Sequence, residues 1–201
     1  MRSVFHSFSY IFHPLFVPMG GTLAYFLVTP KYSSLELQSG NILPIFILTV
    51  IIPIIFFFIL KNLGLVNSIF APTLQERKYP LYISIVLYFL ILYKVIPLNY
   101  IKELYFFFVG LIVALITVLA LLFLKIKASI HLLGMGSLLL FLIALSIHFE
   151  VNITFAIAIV TILTGLVATS RLSMHAHSKI EVLVGFLIGA CSQLLLLKYW
   201  L

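Results

Sequence analysis

The chain has 201 residues, 64% of them hydrophobic and only 8% charged, with a formal net charge of +7 and a mean hydropathy of +1.28. A soluble domain carries about 25% charged residues because its surface faces water, so this composition excludes a water-facing surface and reads as an all-α integral membrane protein. The twelve lysines and arginines are scattered in ones and twos, without the basic stripe that nucleic acid demands, and suit span flanks and lipid headgroups.

A helix needs roughly 20 apolar residues to cross a hydrocarbon core of about 30 Å. Seven stretches qualify, at about 9–28, 42–60, 81–98, 104–124, 132–149, 151–169 and 181–200. In the first, Pro14, Pro18, Gly20 and Gly21 predict a kink or a re-entrant turn, which leaves six or seven transmembrane crossings. The same segment has no small-residue cleavage site and reads as retained structure rather than a removed signal peptide. Pro44 and Pro53 in the second are tolerated where neighbouring groups satisfy the freed carbonyls. The fifth and sixth are joined by little more than Glu150–Val151–Asn152, which predicts a tight antiparallel hairpin. The last carries Gly185-Phe-Leu-Ile-Gly189, small residues that let another helix approach, here in core packing within one bundle. No linker, repeat or long polar stretch divides 1–201, which reads as a single transmembrane domain, and one cysteine, Cys191, gives no disulfide framework.

If all seven stretches cross, the connections near 61–80, 125–131 and 170–180 emerge on one side. They carry Arg77, Lys78, Lys125, Lys127, His131, Arg171, His175, His177 and Lys179, against Lys31, Lys94, Lys102 and Lys198 opposite. Counting Arg2 and Lys61, the excess of basic residues reads the crowded face as cytoplasmic. Setting aside Arg77, Lys127 and Arg171 as site residues nearly balances the two faces, and the orientation stays open. The expected location is a bacterial cytoplasmic (inner) membrane.

The crowded face contains SRLSMHAHSKIEVLVG, Ser170 to Gly185. At helical spacing His177 and Glu181 share a face, so the carboxylate can accept a hydrogen bond from the imidazole, fix its tautomer and leave the other nitrogen to act. Arg171 and His175 are also four apart, as are Lys127 and His131, with Ser129 between the latter. Fixed cations neutralise a phosphoryl dianion, and a histidine held by a carboxylate is a plausible nucleophile.

Ser170-Arg171, five residues, His177, three residues and Glu181, followed by Val182-Leu-x-Gly185, resembles the third signature of the type 2 phosphatidic acid phosphatase superfamily, Ser-Arg-x5-His-x3-Asp. That superfamily holds lipid phosphate phosphatases, undecaprenyl pyrophosphate phosphatases and vanadium haloperoxidases. Ala128-Ser129-Ile130-His131 corresponds to its second signature, Pro-Ser-Gly-His, with two spans between the elements as in the family. The resemblance covers the C-terminal 80 residues or so, about 120–201. It implies that His177 attacks phosphorus, Glu181 orients it, and His131 protonates the leaving oxygen. Arg171 and Ser129 would hold phosphate oxygens, with Lys127 helping, and no metal or other cofactor would be needed. The partners implied are membrane lipids bearing a phosphate or pyrophosphate.

The departures are specific. Glu181 stands for aspartate in a chain with no Asp, and Ala128 and Ile130 replace the proline and glycine of the second signature. A β-branched side chain there obstructs the close backbone approach glycine allows. The first signature, Lys-x6-Arg-Pro, has its nearest echo in Arg77-Lys78-Tyr79-Pro80, which makes Arg77 a candidate phosphate ligand. Two alternatives stay open: a catalytically silent membrane subunit or lipid-binding scaffold with a protein partner, and a metal-dependent hydrolase. For the latter, His175, His177, Glu181 and His131 would hold zinc, with the segment extended because residues two apart diverge on a helix. His13 and His148 read as interface residues or local hydrogen bonders.

Overall fold

The computed structural model of the chain describes residues 8–68, 73–96, 98 and 100–201, and among them there is no strand. Residues 8–11 form a single helical turn, after which the chain breaks at His13. A residue before proline is pushed towards extended backbone, and His13 obeys with φ −65° and ψ 141°. Pro14–Phe16 form a 3-10 turn that runs into α1 (Val17–Val28), so the kink expected from the prolines falls at the first of them.

The second stretch begins earlier than its apolar run. Ser34 accepts the Leu37 N–H and Glu36 occupies the first turn, both favourable at a helix start, so α2 (Leu35–Phe46) includes a polar turn before the expected boundary at 42. A π-helical turn, Ile47–Ile51, joins it to α3 (Ile52–Asn62). The Ile52 N–H reaches back to Ile47 O just ahead of Pro53, which has no N–H of its own. Such widened turns appear where a helix ladder is interrupted.

The third span differs most from expectation. α4 covers Leu74–Lys94 rather than 81–98, because Thr73 caps it. The Thr73 hydroxyl accepts the Glu76 N–H at 3.2 Å and donates to Glu76 Oε1 at 3.1 Å. Gln75, Glu76, Arg77 and Lys78 are good helix formers, and Arg77, expected in a loop, is a buried residue of this helix. The chain continues through α5 (Lys102–Phe123), α6 (Ile130–Phe149), α7 (Thr154–Ser173) and α8 (Lys179–Leu194), with a final 3-10 turn at Leu197–Tyr199. The α6–α7 hairpin is as tight as expected: Glu150 takes the left-handed conformation at φ 55°, and Ser146 Oγ donates to Val151 O at 2.7 Å.

Among the described residues, six stretches are long and apolar enough to cross a membrane: Phe8–Val28, Leu35–Asn62, Lys102–Phe123, Ile130–Phe149, Thr154–Ser173 and Lys179–Tyr199. α4 lies outside that set, with Glu76, Arg77, Lys78 and Lys94 at its ends. Large apolar side chains point outward along the bundle, among them Leu27, Val86, Phe155 and Ile162, as lipid-facing residues do.

α6 is the axis, buried along most of its length. α8 packs against it through the expected small residues. A Cβ on Gly185 would collide with the Ser129 backbone, and one on Gly189 with the carbonyl of Leu133. On the α5 side, Phe107 stacks on Phe141 at 4.3 Å between ring centres, and the Gln193 side-chain amide donates to Phe107 O. At the far end of the bundle, buried Glu103 on α5 accepts from Lys31 Nζ at 2.6 Å and Tyr25 Oη at 3.2 Å, and lies 3.1 Å from His148 Nε2. His148 is thus a partner of Glu103, not a local bonder of its neighbour Glu150.

Candidate functional site

α7 is peripheral: only Val167, Ser170 and Arg171 of its residues are buried. Its last turn leads from the outer surface of the bundle inward where the charged motif begins, with Ser170 and Arg171 buried. There Arg77, His131, Arg171 and His177 line one cavity of about 120 Å³, with Tyr88, Ile130 and His13 also in its wall. Four residues from three separate helices and one connection are thus brought to a shared space.

Local backbone geometry explains the division within the motif. His175 adopts a left-handed conformation at φ 51°, which turns the chain sharply after α7. His175 and Lys179 end up exposed, while His177 is buried. His177 Nδ1 lies 2.8 Å from Glu181 Oε2. A carboxylate only accepts, so this nitrogen carries the proton and Nε2 keeps its lone pair. Burial lowers the His177 pKa to about 4, with Arg77 and Arg171 repelling a proton and the Glu181 hydrogen bond opposing them. The ring is neutral, as a nucleophile must be.

Glu181 has a second task. Its side chain accepts the Ser178 N–H while Ser178 Oγ accepts the Glu181 N–H, a complete capping box at the start of α8. The motif Ser-x-x-Glu, Ser178 to Glu181, is a signal legible in the sequence. One turn further on, Gly185 and the Glu181 carbonyl both meet Ser129, whose N–H donates to Glu181 O at 3.0 Å. The segments 128–131 and 170–185 are therefore fastened backbone to backbone.

Two expected phosphate ligands stand elsewhere. Lys127 and Ser129 are not among the cavity-lining residues; both lie in the connection before α6, whose last residue, Ser129, is extended. Ser129 is fully buried, and its Oγ has no hydrogen-bond partner among the described residues. Ile130, by contrast, does line the cavity, where the signature has glycine. Of the residues the zinc alternative would use, His175 is exposed and His177 buried, and no cluster of three His, Cys, Asp or Glu able to hold a metal occurs among the described residues.

The N-terminal segment supplies what sequence reasoning missed. The Ser9 carbonyl lies 3.2 Å from His131 Nε2, and Ser9 Oγ accepts from Arg171 Nη1 at 3.3 Å and lies 2.8 Å from Ser170 Oγ. His13 meets His131 edge to face at 5.4 Å between ring centres. Nothing in the spacing of residues 9 and 13 announces contacts more than a hundred positions away; the one local signal was an imidazole directly before the proline that breaks the helix.

Comparison with protein-family models, with curated proteins and with solved structures finds no match for this chain.

Proposed function

We propose that the chain is a membrane-embedded phosphatase that hydrolyses a lipid phosphate or pyrophosphate through a phosphohistidine intermediate. The observation that carries the reading is the shared cavity of Arg77, His131, Arg171 and His177, with His177 tied through Nδ1 to Glu181. His177 Nε2 attacks phosphorus, forming the P–N bond as the P–O bond to the leaving group breaks. Glu181 stabilises the charge that develops on the imidazole. Arg77 and Arg171 balance the phosphoryl oxygens, the largest contribution in phosphoryl transfer. His131 keeps its Nε2 proton on the Ser9 carbonyl; as the acid it carries a second proton on Nδ1, taken up together with the anionic substrate, and passes that proton to the leaving oxygen. The same nitrogen then takes one from the water that cleaves the P–N bond.

A lipid substrate is favoured over a soluble phosphate by what adjoins the cavity. A crevice of about 70 Å³ shares His13, Leu15, Pro80 and Ser84 with it and continues between α3 and α4 along Pro53, Phe56, Phe57 and Ile83. Phosphate chemistry at one end and an apolar channel at the other suit a headgroup with its hydrocarbon chain. Purified protein should release inorganic phosphate from phosphatidic acid or a polyprenyl pyrophosphate in the presence of a chelator, and His177→Ala should abolish the release. Undiminished turnover by that variant refutes the mechanism.

Ile130 in the cavity wall favours a second reading, a catalytically silent lipid-binding scaffold of the same fold. On that reading no lipid phosphate is turned over, and a protein partner co-purifies after mild solubilisation.

A further inference from the structure

We infer that His13, on the N-terminal segment outside both signature remnants, is an anion ligand of this cavity. It acts as an uncharged hydrogen-bond donor through Nε2 to a phosphate oxygen. The inference rests on the anion-binding part of the proposed function and not on turnover.

The argument begins with the turn. His13 caps the 3-10 turn Pro14–Phe16, and its Nδ1 accepts the Leu15 N–H at 3.3 Å. A backbone N–H can only donate, so Nδ1 must present its lone pair. The neutral ring then carries its single proton on Nε2, and the imidazolium, with protons on both nitrogens, is incompatible with that bond. Pro14 strengthens the arrangement, since its ring fixes the backbone angle and needs no hydrogen-bond acceptor at the turn's first position. The backbone thus selects the tautomer.

His13 lines the cavity with Arg77, His131, Arg171 and His177, so a residue whose free donor is Nε2 stands in the wall of the proposed phosphate site. Its neutrality matters there. Two arginines already supply fixed charge, and a third cation would add repulsion between ligands before any anion arrives. A neutral N–H adds a hydrogen bond to the anion without that cost. The chain has no lysine seven residues before Arg77, and Lys127 is absent from the wall. His13 is a donor from a different part of the chain that the signatures would not reveal. Its one proton, on Nε2 of a neutral ring, is too weakly acidic to hand over, so the residue serves binding, not acid catalysis.

The two amide residues separate its nitrogens. Asparagine places a polar group near Nδ1 and preserves the cap acceptor while removing the distant donor. Glutamine reaches towards Nε2 and restores an N–H there. Binding of inorganic phosphate to the full-length protein in detergent, followed by calorimetry, should weaken about tenfold or more in His13→Asn, as loss of a hydrogen bond to a charged group implies. His13→Gln should stay within about threefold of wild type. Wild-type affinity in His13→Asn overturns the inference, and so does an equal loss in both variants, which would mark a packing role. Imidazole nitrogen NMR of the wild-type protein needs no variant to fold: it should find the His13 proton on Nε2, shifted by added phosphate. A proton on Nδ1, or no phosphate binding by the wild type, overturns the assignment. Phosphate binding without lipid turnover leaves it standing and refutes the phosphatase reading alone.

Discussion

Glu181 holds His177 and the start of α8 with one carboxylate, and substitutions can separate the two tasks. A hydrogen bond to a charged group contributes about 1.5–3 kcal/mol and a neutral one about 0.5–1.5 kcal/mol. Glu181→Gln keeps an acceptor for both His177 Nδ1 and the Ser178 N–H but loses the charge. It should therefore forfeit roughly 1–1.5 kcal/mol of support for the developing imidazolium, close to tenfold in rate. Glu181→Ala removes the bond altogether and also the cap, so it should reduce turnover by about a hundredfold and cost an additional ~1 kcal/mol of stability. Ser178→Ala removes the cap alone, lowering Tm by about 2–4 °C for a chain of this size with turnover retained. Glu181→Asp, one methylene shorter, should fall between Gln and Ala, because it reaches only one of its two partners. Phosphate release from a lipid phosphate, measured beside thermal unfolding, tests the set. Wild-type turnover in Glu181→Gln, or a loss in Ser178→Ala equal to that in Glu181→Ala, would refute the division of labour.

The depressed His177 pKa of about 4 places the acid limb of kcat/KM near pH 4, well below the ~6.5 of a free histidine; a pH profile centred near 6.5 would contradict it. Because the folded state binds fewer protons than the unfolded chain between those values, the His177 contribution to stability is full above about pH 6.5 and is lost as pH falls towards 4, which urea unfolding at stepped pH should reveal. Glu103→Ala leaves Lys31 and His148 without their shared carboxylate. It should cost about 2–3 kcal/mol, below the ~3–5 kcal/mol of a fully enclosed pair because Lys31 reaches solvent, and should leave phosphate binding intact. Gly185→Val drives a side chain into the Ser129 backbone and should destabilise the α6–α8 contact by about 1–3 kcal/mol or more, with loss of both phosphate affinity and turnover; unchanged melting would show that the helices are not in close contact there.

The positions of most helices were legible because a membrane-spanning helix is dictated by an uninterrupted apolar run, whichever neighbours it finds. α4 was misplaced for the same reason. Its first turns are polar, and what starts it is Thr73 and the helix-forming run Gln75 to Lys78 rather than hydrophobicity. Within the site, His177 and Glu181 were legible as a local pair at one-turn spacing, and Arg171 followed from the same motif. Ser9 and His13 were not, since their contacts with Arg171 and His131 arise only when the N-terminal segment folds back across α6 and α7. For Lys127, a spacing of four from His131 implies a shared face only if both residues are helical, and α6 begins at Ile130.

α6 holds a histidine near each end, and each is fastened into polar company, His131 to the Ser9 carbonyl and His148 to Glu103. The two positions are 17 residues apart, which a straight helix turns into about 26 Å. In a bilayer whose hydrocarbon core is about 30 Å thick, that distance is a fixed height between two polar anchors. The chain cannot stretch it without breaking one of them. A thicker membrane must thin around the protein, and a thinner one lets the bundle tilt. Reconstitution in lipids of graded chain length should then show its greatest thermal stability in the thinner members of the series.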